Sequence, residues 1–367
     1  MINLGFFPSR QLAFYMVRLF VTRTLAVLVA LVLVLMTLDL LGQSGQILAV
    51  PGNGDAELWR YVSLRIPILI SRFLPFSVLL GTLIAFVGLN QNSEVVAMKA
   101  AGLSAHQILA PLVVASIGIA AALFGFNEFV VVNSTRVANA WDANDYKPIP
   151  PDRGILSDVW LLNGDDLIHA DLVNGRGDRL VARNVKVYDR TGGILQRVMQ
   201  ASTAVPRPAS HDWLLKDVRT YDANMNLVMK KPEATGLEGV TPGQLTIAKV
   251  EPTELDYWTL KRRVGELEAA GRPADEARAG LDHKIAGPLS TLLMPLLAAV
   301  AAFGLARSGQ VLLRACLGMA LGFAYFVADN FSLAMGNAGT YPPLVAAWAP
   351  FFLFLLIGET VLIRTEE

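Results

Sequence analysis

The sequence predicts an α-helical membrane protein with six transmembrane helices, three on either side of an inserted β-domain. Three observations predict it. First, 53% of the 367 residues are hydrophobic and only 17% are charged, with a mean hydropathy of +0.45. Soluble domains carry charge at roughly 25% of positions, so this chain is too apolar to be one. Second, six stretches reach the roughly 20 mainly apolar residues that cross a bilayer. They are Leu19–Leu41, Ile66–Leu89, Ile108–Val132, Ile285–Leu305, Val311–Met335 and Pro342–Ile363. Third, the middle, about residues 133–283, is polar, rich in turns and alternating.

The first span follows Arg10, Arg18 and Arg23, as a signal peptide would, but no small-residue cleavage site comes soon after it. It reads as a retained span that also directs insertion. The second contains Pro67 and Pro75, which neighbouring helices accommodate. In the middle, DRLVARNVKVYD (178–189), GILQRVMQASTAV (193–205) and DWLLKDVRTYD (212–222) read as strands. Gly- and Pro-rich turns separate them, which suggests a β-sandwich or jelly roll. The RGD at 176–178 reads as a solvated hairpin turn. Thr253 or Asp256 can cap a helix that runs to about Ala270 and stops at Gly271. Its apolar positions are Leu260, Val264 and Leu267. A further helix starts near Pro273 and leads into the fourth span.

Short cytoplasmic loops carry the excess of Lys and Arg. With the N-terminus inside, the cytoplasmic segments hold Arg10, Arg18, Arg23, Lys99, Arg307, Arg314 and Arg364, while Arg60 and Arg65 fall outside. Both termini are therefore expected inside and the β-domain outside, periplasmic in a Gram-negative cell. Zero net charge gives no reason to expect a nucleic-acid partner. The single cysteine, Cys316, reads as a small buried hydrophobe. There is no P-loop, no HExxH and no GxSxG, and the four histidines lack metal-ligand spacing. The expectation is a non-enzyme with no cofactor or metal.

Between spans two and three lies NQNSEVVAMKAAGLSAHQ (90–107). Asn92 is placed as an N-cap, Glu94 falls in the first turn where the helix dipole favours an acid, and Gly102 is placed as the stop. A helix Ser93–Ala101 of about 13 Å is marginal alone. Ala97, Ala100 and Ala101 permit close approach by another protein. The residues leave two readings open: a solvated turn, or a docking helix that receives force from a soluble partner.

The segment NSEVVAMKAAGLS resembles the S-E-x-x-x-M-x-x-x-G coupling helix of the lipopolysaccharide-export permeases, the LptF/LptG family of an ABC transporter. The likeness extends over nearly the whole chain. It takes in DWLLKDV, ELDYWTLKRRVGELEAAG, HKIAGPLSTLLMPLLAAVAAFG, GFAYFVADNF and YPPLVAAWAPFFLFLLIG, in that order. TLDLLGQ in span one and the YPPL ending are more similar to the LptG side of the family.

The resemblance implies a non-catalytic permease subunit of the inner membrane with a periplasmic jelly roll. It implies four partners: a homologous permease, a soluble ABC ATPase dimer, a periplasmic jelly-roll bridge protein and lipopolysaccharide. ATP hydrolysis would lie on the partner chain. Asn92, Glu94, Met98 and Gly102 would couple to the ATPase. Asp39 matches an acid near the outer end of span one, but Leu40, Leu41, Gly42 and Gln43 stand where family members often carry basic residues. Compensating cations for lipid phosphates are Arg65 and Arg72, with Arg60 nearby and Lys284 at the start of span four. Anchoring to ordinary lipid is the plain alternative for each. Asp329, inside span five, is expected to face the cavity or a partner helix. The competing functions are a non-transport protein that transmits force to a periplasmic effector, which would need no outer cations, and a membrane-anchored enzyme, which would need a catalytic cluster in 133–283.

Overall fold

A computed structural model describes residues 8–148, 155–175, 179–207, 212–223, 225–242, 245, 250–269, 273–303 and 311–366. The chain divides into a helical unit and a β unit. The helical unit holds α1 (Arg10–Ala49), α2 (Asp55–Gln91), α3 (Glu94–Ala100), α4 (Ala105–Phe126) and α5 (Val132–Asp142). After the β unit come α6 (Tyr257–Ala269), α7 (Asp275–Phe303), α8 (Val311–Asn337) and α9 (Pro343–Glu366). Among the described residues six helices are long and apolar enough to span a membrane, so the chain is a helical membrane protein with an inserted β-domain.

The helices outrun the apolar stretches that identify them. α1 has 40 residues, about 60 Å at 1.5 Å per residue, against roughly 30 Å of hydrocarbon. α2 starts ten residues before Arg65, held by the Glu57 carboxylate, which accepts the Gly54 N–H at 2.8 Å. α4 starts with a reciprocal cap between Ser104 and Gln107. A five-residue π turn, Asn127–Val131, joins α4 to α5. α7 is the central helix and packs against α2, α4, α8 and α9. α1 and α8 leave most of their apolar surface uncovered. Cys316, expected to be buried, is exposed on α8 for this reason. Small residues let helix backbones approach, as membrane helix packing favours. A Cβ on Gly81 of α2 would lie 2.6 Å from the Cα of Thr24 on α1.

The β unit contains β1 (Ile155–Asn163), β2 (Asp166–Asn174), β3 (Val181–Thr191), β4 (Ile194–Arg207), β5 (Asp212–Asp222) and β6 (Leu227–Gly236). Each strand pairs antiparallel with its sequence neighbour, so the expected sandwich or jelly roll resolves, in the described strands, into one six-stranded sheet in sequence order. Tight turns enforce that order. Gly192 and Gly193, at φ 59° and 79°, supply the two left-handed positions of a type I′ hairpin. Three strands stand near the expected 178–189, 193–205 and 212–222, and β1, β2 and β6 were not expected. The edge strand β6 is exposed along nearly all its length and holds Pro232, so it lacks the alternation that marks a half-buried strand.

The apolar face of the sheet is a core of Ile168, Ala170, Val185, Ala201, Leu215 and their neighbours, with buried Trp213 donating to the Val240 carbonyl at 2.7 Å. The alternation slips by one residue on four strands. Ala170 and Val173, Ala182 and Val185, Ala201 and Ala204, and Leu215 and Val218 are all buried. Asn184 (φ 48°) and Asp217 (φ 52°) sit inside two of these slips. The RGD turn, Gly271 and Arg307 lie outside the described residues.

Asp256, rather than Thr253, caps α6. Its Oδ1 accepts the Thr259 N–H at 3.0 Å. That backbone hydrogen bond, followed by the Thr259 side chain, holds the carboxyl below its ordinary value. A depressed native pKa adds stability above the unfolded value of about 4, and this is lost as pH falls through the lower native value. Asp256→Ala is therefore expected to cost about 1 kcal/mol at neutral pH. The difference should be flat above about pH 5 and fade in acid below 4. Thermal unfolding of both proteins across pH checks this.

Candidate functional site

α3 is held between two long helices by its own apolar side. Val95 and Met98, three apart, are buried in the core with Phe86, Leu89, Ile108 and Leu109. The other side, Val96, Ala97, Lys99, Ala100 and Ala101, is exposed. The start differs from the sequence expectation. Asn92 is not the N-cap; it ends α2. Ser93 takes the cap position at φ 59° and makes no side-chain cap. Seating Val95 and Met98 in the core fixes where the helix can begin, and the left-handed Ser93 makes the sharp exit from α2. Glu94 keeps its first-turn place, accepting the Tyr15 hydroxyl at 3.3 Å, with the Asn92 amide at 3.5 Å.

The stop at Gly102 is as expected. Its φ is 87°. Its N–H donates to the Lys99 carbonyl at 2.9 Å, and Leu103 N–H reaches back to Met98 at 3.1 Å, a Schellman ending. Met98 is an anchor inside this chain, so its contribution to any docking is to hold α3 in place.

The expected lipid-contact residues do not gather in one place. Asp39 of α1 and Arg65 of α2 pair with each other, Nε to Oδ2 at 2.8 Å and Nη2 to Oδ1 at 3.2 Å. The Tyr61 hydroxyl donates to the same Oδ2 at 2.8 Å. The Arg65 charge, expected to meet a lipid phosphate, is thus matched within the chain. Tyr61 lies four residues before Arg65 on one helix face, and that spacing was a readable signal. Around the pair sit residues that spacing could not reveal. Tyr146 donates to Gln43 at 3.3 Å, and Asn53 spans the Ile47 and Tyr146 carbonyls. Arg60 stacks 4.7 Å over Trp141. Burial, then the Asp142 carboxylate, raises the Tyr146 phenol above its ordinary pKa and keeps it a neutral donor.

Lys284 is also matched. It meets Glu128, on the π turn, at 3.4 Å, with both side chains nearly buried. Glu128 also accepts the Tyr257 N–H that opens α6. Asp329 of α8 meets His283 of α7 at 3.0 Å, so it faces a neighbouring helix of its own chain. Arg72 differs from the others. It is exposed on α2 and has no ion pair among the described residues. No group of three metal-ligating side chains occurs among the described residues.

A family model described as "Lipopolysaccharide export system permease LptF/LptG" matches residues 14–364. The permease protein LptG of Escherichia coli K12 is 26% identical over 348 residues, covering 93% of this chain and 94% of that protein. LptG of Haemophilus influenzae is 24% identical over 326 residues, covering 86% and 89%.

Proposed function

Because the chain belongs to the LptF/LptG family of lipopolysaccharide export permeases, we propose that it is the LptG-type permease subunit of an exporter that extracts lipopolysaccharide from the outer leaflet of the inner membrane. The observation that carries this is the match over residues 14–364, which spans both sets of helices and the inserted sheet. In this reading the work is mechanical. A separate ATPase dimer docks on the exposed side of α3, and its closure moves α2 and α4, between which α3 is fixed. A homologous permease completes the cavity. Lipopolysaccharide passes to a periplasmic bridge protein through the β unit. Both termini are cytoplasmic and the sheet is periplasmic, which the distribution of arginine and lysine among the short loops supports.

The same reading gives Arg72 the phosphate contact, because among the described residues it has neither the ion pair of Arg65 and Lys284 nor the aromatic partner of Arg60. Asp39 with Arg65, and Lys284 with Glu128, then hold helices at fixed spacing. Depleting the protein from a Gram-negative host is expected to strand new lipopolysaccharide in the inner membrane and remove it from the cell surface. Surface lipopolysaccharide that persists at normal levels after depletion refutes the proposal.

A further inference from the structure

The sheet has a second face, opposite its apolar core. Cross-strand partners point to the same side, and the register puts six residues in one row. Trp160 pairs with His169, His169 with Lys186, Lys186 with Gln200, Gln200 with Arg219, and Arg219 with Lys230. Their chain neighbours Ile168, Ala170, Val185, Val187, Ala201 and Val218 are buried on the other side, so the row lies on the opposite face; His169 is buried there beside Trp160, Lys186 and Gln200 are half-buried, and Trp160, Arg219 and Lys230 are exposed.

Two properties of the row point to a ligand. The first is charge. Lys186, Arg219 and Lys230 have no ion-pair partner among the described residues. Arg219 and Lys230 stand directly opposite each other, where like charges destabilise a strand pair. An anion lying between them would remove that cost. The second is the aromatic end. Trp160 is 46% exposed, its ring lies 4.2 Å from that of His169, and it stacks on Tyr188 at 6.3 Å and 16°. A rigid, partly exposed ring suits a flat, partly apolar partner with polar edges.

We propose that this row binds a phosphorylated saccharide, with Arg219, Lys230 and Lys186 taking phosphate groups and Trp160 taking a sugar face. Strands are about 4.8 Å apart, so the row runs about 24 Å from β1 to β6, the length of several sugar units. The export reading supplies only the source, the glycan of the cargo; the site itself follows from the row.

The test uses the full-length protein in lipid nanodiscs. Three probes are titrated: the deacylated, phosphorylated oligosaccharide of lipopolysaccharide, the same oligosaccharide after phosphatase, and inorganic phosphate. The phosphorylated oligosaccharide should bind at least about tenfold more tightly than either other probe, the equivalent of one charged hydrogen bond. The double substitution Arg219→Gln with Lys230→Gln should lose about tenfold, and Arg219→Lys with Lys230→Arg should retain most of it. Trp160→Ala should weaken the oligosaccharide and leave inorganic phosphate unchanged. All these side chains are exposed, and unchanged thermal unfolding of the variants verifies the fold. Equal binding by the Gln variant and the wild type overturns the proposal, as does no binding by the wild type. If inorganic phosphate binds as tightly as the oligosaccharide, the saccharide assignment falls. None of these failures touches the export reading, which is measured separately by depletion.

Discussion

Val96→Asp is expected to abolish export while leaving the helical unit intact. Val96 is 65% exposed on α3 and makes no contribution to the core. It occupies the third helical position, where the dipole favours an acid, so the substitution does not weaken the helix itself. What it does is place a charge in the middle of the side proposed to receive the ATPase. A desolvated charge there should weaken docking by at least about 2 kcal/mol, roughly thirtyfold. Glu94→Lys should act in the same direction by a second route. It removes the acceptor for Tyr15 and puts a cation at the positive end of the helix. Copurification of the ATPase and lipopolysaccharide at the cell surface should fall together in both variants. A Val96→Asp protein that exports at the wild-type rate would show that the side chains of α3 meet no partner.

The second large effect is on stability. Lys284→Met leaves the Glu128 carboxylate nearly buried and without its ammonium partner. Breaking a buried pair from one side costs about 3–5 kcal/mol. Replacing both partners costs less, provided the other bond of Glu128 survives. Gln at 128 can still accept the Tyr257 N–H. Glu128→Gln with Lys284→Met should therefore unfold at a higher temperature in detergent than Lys284→Met alone. If the double variant is no more stable, the charge pair does not hold the π turn against α7.

The spans were legible because hydropathy over 20 residues is a sum, insensitive to detail. Their ends were not. Residues such as Asp55, Glu57 and Arg60 are polar yet helical, since α2 continues beyond its apolar stretch. On α3, Gly102 was readable because only a few residues tolerate its backbone angle. The N-cap was misread by one residue because burial of Val95 and Met98 set the frame. In the sheet, β3, β4 and β5 were found despite a one-residue slip in each, because turn residues bracket them, and β1, β2 and the exposed edge β6 were not. The site was least legible. Lys284 and Glu128 are 156 positions apart, and His283 and Asp329 are 46 apart. In the sequence, Arg65 and Lys284 read as free cations for a lipid phosphate, and Asp329 as an acid facing the cavity or a partner helix. The fold supplies each of them with a partner, which spacing along the chain cannot show.

The most direct test of the account is a photo-crosslinking amino acid placed at position 97, on the exposed side of α3, in living cells. A soluble P-loop ATPase, identified by mass spectrometry, is expected to be captured there and equally at position 100. Capture of lipid alone at both positions would contradict that expectation, and α3 would then be a turn between two spans.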